Sequence, residues 1–229
     1  MTAETTTPST PSTPLSPTSR STLGRNATRA GADRADLHAV LDEGRVCHLG
    51  LVRDGAPVVL PTSYARDGET LYLHGSSGAR YLRADDLPCC VTVTHLDGIV
   101  HARATMHFSM NYRSAVVHGV ARRVTDPHER WHALRSIVEH LAPGAWDHAR
   151  RPDRRELAAT AVFALDLGEA SVKVRTGPPS DDDADVAADR AWAGVVPVRT
   201  VLGDPEPAPD LPEHHLLPGH LGGPGHRNG

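Results

Sequence analysis

The run His74-Gly75-Ser76-Ser77-Gly78-Ala79-Arg80 sets two hydroxyls and a guanidinium in a glycine-rich turn between a strand-like and a helix-like stretch. Backbone N–H groups at such a turn, with hydroxyls and an arginine beside them, are the donors that hold a phosphate. An ordinary loop with a solvated Arg80 reads the same way. A second run, Ser109-Met110-Asn111-Tyr112-Arg113-Ser114, is dense in donors just ahead of an apolar strand. Arg113 and Ser114 suit an anion and Asn111 suits a heterocycle; a polar turn capping its own backbone has the same composition. The third, Ser171-Val172-Lys173-Val174-Arg175, places Ser171, Lys173 and Arg175 on one face of a strand. That face fits a phosphate or carboxylate, or else a sheet edge charged against aggregation.

Fifteen histidines add metal chemistry to the possibilities. His128-Glu129-Arg130-Trp131-His132 matches H-E-x-x-H, which in a zinc protease sets two ligands and a base on one helix face. Here it falls in the first helical turn behind Pro127, with Trp131 as a core position and no third ligand nearby in sequence, so no metal site is assigned. His101 and His107 lie six residues apart across a turn. The tail histidines His214, His215, His220 and His226 suit adventitious metal binding. Cys47 sits in an apolar strand and Cys89-Cys90 opens another, which fits buried structural thiols.

The elements that position these residues follow from periodicity and turn chemistry. Asp33 caps a short helix with Leu37, Val40 and Leu41 on one face and Gly44 as its stop. Strands follow over 46–52, 57–65 and 70–74, joined by Asp54-Gly55 and Asp67-Gly68 hairpin turns. A short helix is expected over 79–84, then strands over 89–96 and 99–105 about an Asp97-Gly98 turn, and another over 115–124. Asp126-Pro127-His128-Glu129 starts a helix that buries Trp131, Leu134, Ile137, Val138 and Leu141. A short helix over 154–159 and strands over 160–167 and 171–175 precede an acidic stretch, Asp181–Asp189, and a closing segment, Trp192–Pro197. The hairpins are too short for parallel crossovers, so about seven strands form a mainly antiparallel barrel or sandwich with peripheral helices.

Composition bounds the rest. The chain has 229 residues and a formal charge of −4, which speaks against a dedicated nucleic-acid binder. No apolar run approaches the roughly 18 residues of a membrane span, and three cysteines make no disulfide framework, so a reducing cytoplasm is the expected setting. Residues 1–33, rich in Thr, Ser and Pro, and 203–229, rich in Gly, Pro and His, read as disordered tails around a folded domain at 34–202.

Taken in order, Cys47-His48-Leu49-Gly50, Pro61-Thr62-Ser63-Tyr64, Leu71-Tyr72-Leu73-His74-Gly75-Ser76, Asp97-Gly98, Ser109-Met110-Asn111-Tyr112-Arg113-Ser114, Lys173-Val174-Arg175 with Gly177-Pro178-Pro179, and Trp192-Ala193-Gly194-Val195-Val196-Pro197 resemble the pyridoxamine 5′-phosphate oxidase-like family. The branch is that of flavin-nucleotide-binding proteins akin to nitroimidazole-resistance reductases. The resemblance implies a split β-barrel that dimerises, with FMN at the subunit interface and a small organic substrate. It implies Thr62 near the isoalloxazine, His74 on the flavin or substrate side as the catalytic candidate, and Ser76 and Arg80 on the phosphate. Asn111, Arg113 and Ser114 (the last two from the second subunit), Lys173 and Arg175 join the cofactor-binding set, with Trp192 as a ring-side wall. Haem, ligated by His74 or His107, and deazaflavin are the alternative cofactors on the same barrel, and a non-catalytic flavin sensor is the alternative role. The basic phosphate signature and C-terminal substrate segment of true pyridoxamine phosphate oxidases are missing, which argues against vitamin B6 oxidation.

Overall fold

The computed structural model describes residues 15, 18–22, 33–79, 82, 84–212 and 214–221. The chain runs α1 (Arg34–Glu43), β1 (Cys47–Arg53), β2 (Ala56–Thr62), β3 (Tyr64–Asp67), β4 (Thr70–Ser76), β5 (Asp86–His101), β6 (Ser109–Arg123), α2 (Pro127–Leu141), α3 (Ala145–His148), α4 (Arg154–Ala159), β7 (Thr160–Asp166), β8 (Ala170–Arg175), α5 (Asp183–Ala188) and β9 (Gly194–Pro197). The strands make one antiparallel sheet of nine, in the order β2-β1-β5-β6-β7-β4-β3, with β8 also on β6 and β9 also on β5. This is the split-barrel arrangement. No helix among the described residues is long and apolar enough to cross a membrane.

Several elements form as their residues dictate. Asp54 and Gly55 both take positive φ, 50° and 79°, the conformation that lets a two-residue turn follow the strand twist. Asp126 accepts from the Glu129 N–H at 2.8 Å with Pro127 opening α2. Asp153 and Glu156 form a reciprocal capping box on α4. Other elements differ from expectation. The stretch 57–65 is not one strand. Ser63 breaks it into β2, paired with β1, and β3, paired with β4 at the other end of the sheet. Asp97-Gly98 is not a hairpin turn but a bulge within the 16-residue β5. Gly98 is needed there because a Cβ would lie 2.8 Å from Val195 Cγ1 and 3.2 Å from the Val196 carbonyl, closing the space β9 occupies. The donor-rich run 109–114 is no turn; it is the start of β6. α2 buries Ala133 and Ile137, while Trp131 and Leu141 are exposed. Of the helix expected over 79–84, residues 80, 81 and 83 lie outside the described residues; the Leu82 N–H donates to the Ala79 carbonyl at 3.0 Å.

The main core joins Leu37, Val40 and Leu41 of α1 to inward residues of β1, β3, β4, β5, β6, β7 and β8, among them Leu49, Tyr64, Leu71, Val91, Val117, Phe163 and Val172. Leu15 packs against it, and Thr18 and Arg20 reach Glu169. The C-terminal end of α1 is held from several elements. The Tyr64 hydroxyl donates to the Leu41 carbonyl at 2.6 Å, His95 Nε2 meets the Val40 carbonyl at 2.9 Å, and His140 Nε2 meets the Gly44 carbonyl at 2.6 Å. Arg66 holds Asp42 with two hydrogen bonds, and Arg113 holds Glu43. Gly44 has φ −69°, so its role is spatial. A Cβ there would stand 2.5 Å from the Tyr64 hydroxyl and 2.7 Å from Val93 Cγ1.

Burial pulls the His140 imidazole below its ordinary value, against the raising effect of its bond to Gly44. The unfolded chain returns it to about 6.5 and so binds more protons. Stability from this group is complete above about pH 6.5 and is lost as pH falls through that value toward the lower native one. The midpoint of chemical denaturation should therefore fall between about pH 7.5 and about pH 5, and His140→Gln should shrink that fall. Tyr64→Phe should destabilise by about 1–2 kcal/mol at neutral pH, because the Leu41 carbonyl loses a buried donor; an unchanged midpoint would contradict the anchoring role.

Candidate cofactor site

Thr62 ends β2, the first strand of the sheet order, and His74 lies near the end of β4, the last but one. The curl of the sheet brings them to one cavity of about 190 Å³, lined by Leu49, Leu60, Pro61, Thr62, Leu73, His74, Gly75, Leu82, Leu87 and Phe163. Apart from Thr62 and His74 the wall is apolar. His74 Nδ1 is buried with no hydrogen-bond partner among the described residues, and burial holds the imidazole below its ordinary pKa. Burial therefore favours the uncharged ring. Gly75 keeps the cavity floor tight, since a Cβ would meet Leu82 Cδ1 at 2.4 Å.

The other expected residues fall into separate places. Ser76 is exposed and its Oγ accepts from the Gly78 N–H at 3.2 Å. Ser77 is spent on the Ala158 and Ala159 carbonyls. Arg80 lies outside the described residues. Arg113 is clamped between Glu43 and Asp97, with 2.8 Å to Asp97 Oδ1; these carboxylates push its pKa up, and Arg113 in turn holds Glu43 below the usual carboxylate range. It fixes the bulge to α1. Asn111 and Arg175 are buried together: Arg175 donates to Asn111 Oδ1, and both donate to the Gly177 carbonyl, Asn111 at 3.1 Å and Arg175 at 3.2 Å. Arg175 also reaches the Pro178 carbonyl at 3.1 Å. Arg175 is buried, whereas Ser171 and Lys173 are half-buried. Ser114 faces the Lys173 carbonyl at 3.5 Å across β6 and β8. The Lys173 ammonium has no ion pair among the described residues. Trp192 is 67% exposed and sits edge-on to His101, ring centroids 5.6 Å apart. Gly194 makes room for the indole, 2.7 Å from where a Cβ would stand.

Glu129 of the H-E-x-x-H string is held by Arg122 and by the Tyr72 hydroxyl at 3.3 Å, and His132 by Asp67 at 2.7 Å. Cys47 and Cys89 are pushed up by burial to about 12 and about 11, far from nucleophilic thiolates. The wall residues Leu60, Leu82, Leu87 and Phe163 carry no sequence signal that separates them from core.

The fold is an antiparallel split barrel with a mostly apolar cavity that holds Thr62 and His74. The chain belongs to the pyridoxamine 5′-phosphate oxidase family, whose model matches residues 33–174. It is similar to the flavocytochrome Anf3 from Azotobacter vinelandii, at 38% identity over 91% of this chain and 97% of that one, with a TM-score of 0.84. It is similar to the FAD and haem binding protein from Mycobacterium smegmatis, at 38% identity over 85% and 96%, TM-score 0.80. A protein described for 5-nitroimidazole antibiotic resistance, from Bacteroides thetaiotaomicron, shares the fold at 20% identity over 63% and 86%, TM-score 0.53. None of the curated proteins matches the sequence.

Asn111→Ala should cost about 1–3 kcal/mol by stripping a buried partner from Arg175, and should speed amide exchange at 176–180. Unchanged exchange there would show that the Asn111–Arg175 pair does not hold this loop.

Proposed function

We propose that this protein is a dimeric flavin- and haem-binding redox protein in which His74 touches the cofactor that enters the cavity. The observation that carries this reading is His74 itself: an imidazole whose uncharged form burial favours, with a nitrogen unpartnered among the described residues, in an apolar wall, on a chain 38% identical to two proteins named for flavin or haem. A haem iron takes a neutral imidazole nitrogen as ligand, and a flavin ring edge takes a hydrogen bond from the same group, so the residue fits both. When bound, flavin supplies hydride or single-electron transfer and haem supplies single-electron transfer. Leu49, Leu60, Leu87 and Phe163 exclude water from that contact, and Thr62 offers a hydroxyl beside it. Lys173, with no ion pair among the described residues, offers positive charge for a flavin phosphate. FMN is the flavin the family likeness implies; the relative named for FAD sets FAD beside it.

A second copy completes the site. Cavities that hold a cofactor run to roughly 300–1,000 Å³, and about 190 Å³ in one chain admits only part of one. The outer face of β5, β6 and β9 is uncovered. Ile99 pairs with Met110 and with Val196, Leu96 pairs with Tyr112, and Leu96, Ile99, Met110 and Val196 are all large and exposed. Such a contiguous apolar face marks a protein interface, and two identical faces can cover each other by two-fold symmetry.

The purified protein should show both a Soret band and flavin absorbance, with FMN or FAD named by the mass of the released molecule. His74→Ala should abolish the Soret band or shift the flavin spectrum with secondary structure intact. Colourless protein that takes up neither added haem nor added flavin would overturn the reading. Ile99→Glu with Met110→Glu should halve the mass in light scattering and release cofactor; a monomeric wild type that keeps its cofactor would remove the shared site while leaving the cofactor assignment standing.

A further inference from the structure

The turn at Thr105–His107, past the end of β5, meets the acidic segment that opens α5. Ligand atoms of His107, Asp182 and Asp185 all lie within 4.8 Å of one another, and none of the three lines the cavity of Thr62 and His74. We propose that His107, Asp182 and Asp185 bind a divalent transition-metal ion.

Three observations on different residues converge. His107 Nδ1 is buried with no hydrogen-bond partner, so the ring presents a nitrogen that no described protein group satisfies. Asp182 stands at the N-cap of α5 and makes no side-chain capping bond; the Asp33 side chain does not cap α1 either, contrary to expectation, while Asp126 and Asp153 cap α2 and α4. Its carboxylate is instead grouped with Asp185 and His107, and the Asp185 N–H is met by the Asp182 backbone carbonyl at 3.0 Å. The cation at hand, Arg103, is committed: its Nη1 and its backbone N–H each meet Asp181 at 2.9 Å. Two carboxylates and an imidazole thus gather with no ion pair of their own among the described residues.

The donor set selects the ion. One nitrogen with two carboxylate oxygens suits Mn²⁺, Fe²⁺ or Zn²⁺, while Ca²⁺ and Mg²⁺ favour all-oxygen shells. Ligands at about 2.1 Å from a metal stand at most about 4.2 Å apart, so the exposed Asp182 side chain has well under an ångström to close. Three protein ligands leave positions for water. Bound metal would clip the 105–107 turn to the segment leading to Trp192.

The test uses untagged full-length protein with its cofactors, treated with a chelator and titrated with Mn²⁺, free ion being followed by electron paramagnetic resonance. Mn²⁺ suits the purpose because the tail imidazoles hold it more weakly than Ni²⁺, Cu²⁺ or Zn²⁺. One ion per chain and a rise in melting temperature are expected. Asp182→Asn with Asp185→Asn, at surface positions that spare the core, should abolish both effects while circular dichroism and cofactor content stay unchanged. His107→Gln should weaken binding at least about tenfold. The site is refuted if the wild type takes up neither Mn²⁺ nor Zn²⁺ stoichiometrically, or if either variant binds as well as the wild type. Equal or tighter binding of Ca²⁺ would refute the transition-metal assignment. These readouts are independent of whether flavin or haem occupies the cavity.

Discussion

The last turn of one short helix is the constraint on which the rest of the molecule depends. α1 sinks Leu37, Val40 and Leu41 into the main core, and its C-terminal carbonyls, which a helix leaves unpaired, are met by side chains from three other elements: Tyr64 of β3, His95 of β5 and His140 of α2. Positive and donor groups belong at that end of a helix, where the peptide dipoles sum to partial negative charge. Arg66 and Arg113 add ion pairs from β3 and β6. Strands β3 and β5 are far apart in the sheet order, so the helix end ties together regions that the backbone ladder does not join directly.

This arrangement explains why Arg113, in the most distinctive run of the sequence, turns toward Glu43 and Asp97. An arginine beside a serine and an asparagine reads as an anion site when its partners are unknown. Its carboxylates come from 70 and 16 residues away, and no local pattern reports such separations. Asn111 and Arg175 present the same case: both look like ligand-binding polar residues, and together they hold the loop at Gly177. Much short-range chemistry was legible. Asp54-Gly55 and the Asp126-Pro127 helix start form as their types require, while Asp33 opens α1 without a side-chain cap. The antiparallel sheet followed from turn spacing. The break at Ser63 and the unbroken β5 did not, because each depends on which strand lies alongside: Cys47 pairs with Thr62, Tyr64 with Leu73, and β6 runs the length of β5 across the Asp97-Gly98 bulge.

Within the candidate cavity the sequence pointed to Thr62 and His74 through family likeness, and the fold brings these two together. It gave no warning that leucines from β1, β2 and β4 and a phenylalanine from β7 make the wall, since a residue lining a cofactor cavity and one filling a core are chemically alike. The uncovered face of β5, β6 and β9 was hidden for the same reason: alternation identifies two faces of a strand but not whether both are apolar once β8 and β9 have joined.

Thr62 and Tyr64 are separated by a single residue. One lines the cavity and the other is fully buried with its hydroxyl fixed to α1. The wall at Thr62 therefore shares the stiffness of the barrel interior instead of riding on a loop. If the proposed redox cofactor binds here, a wall of this kind would move little as the cofactor gains or loses charge, which keeps the reorganisation energy small.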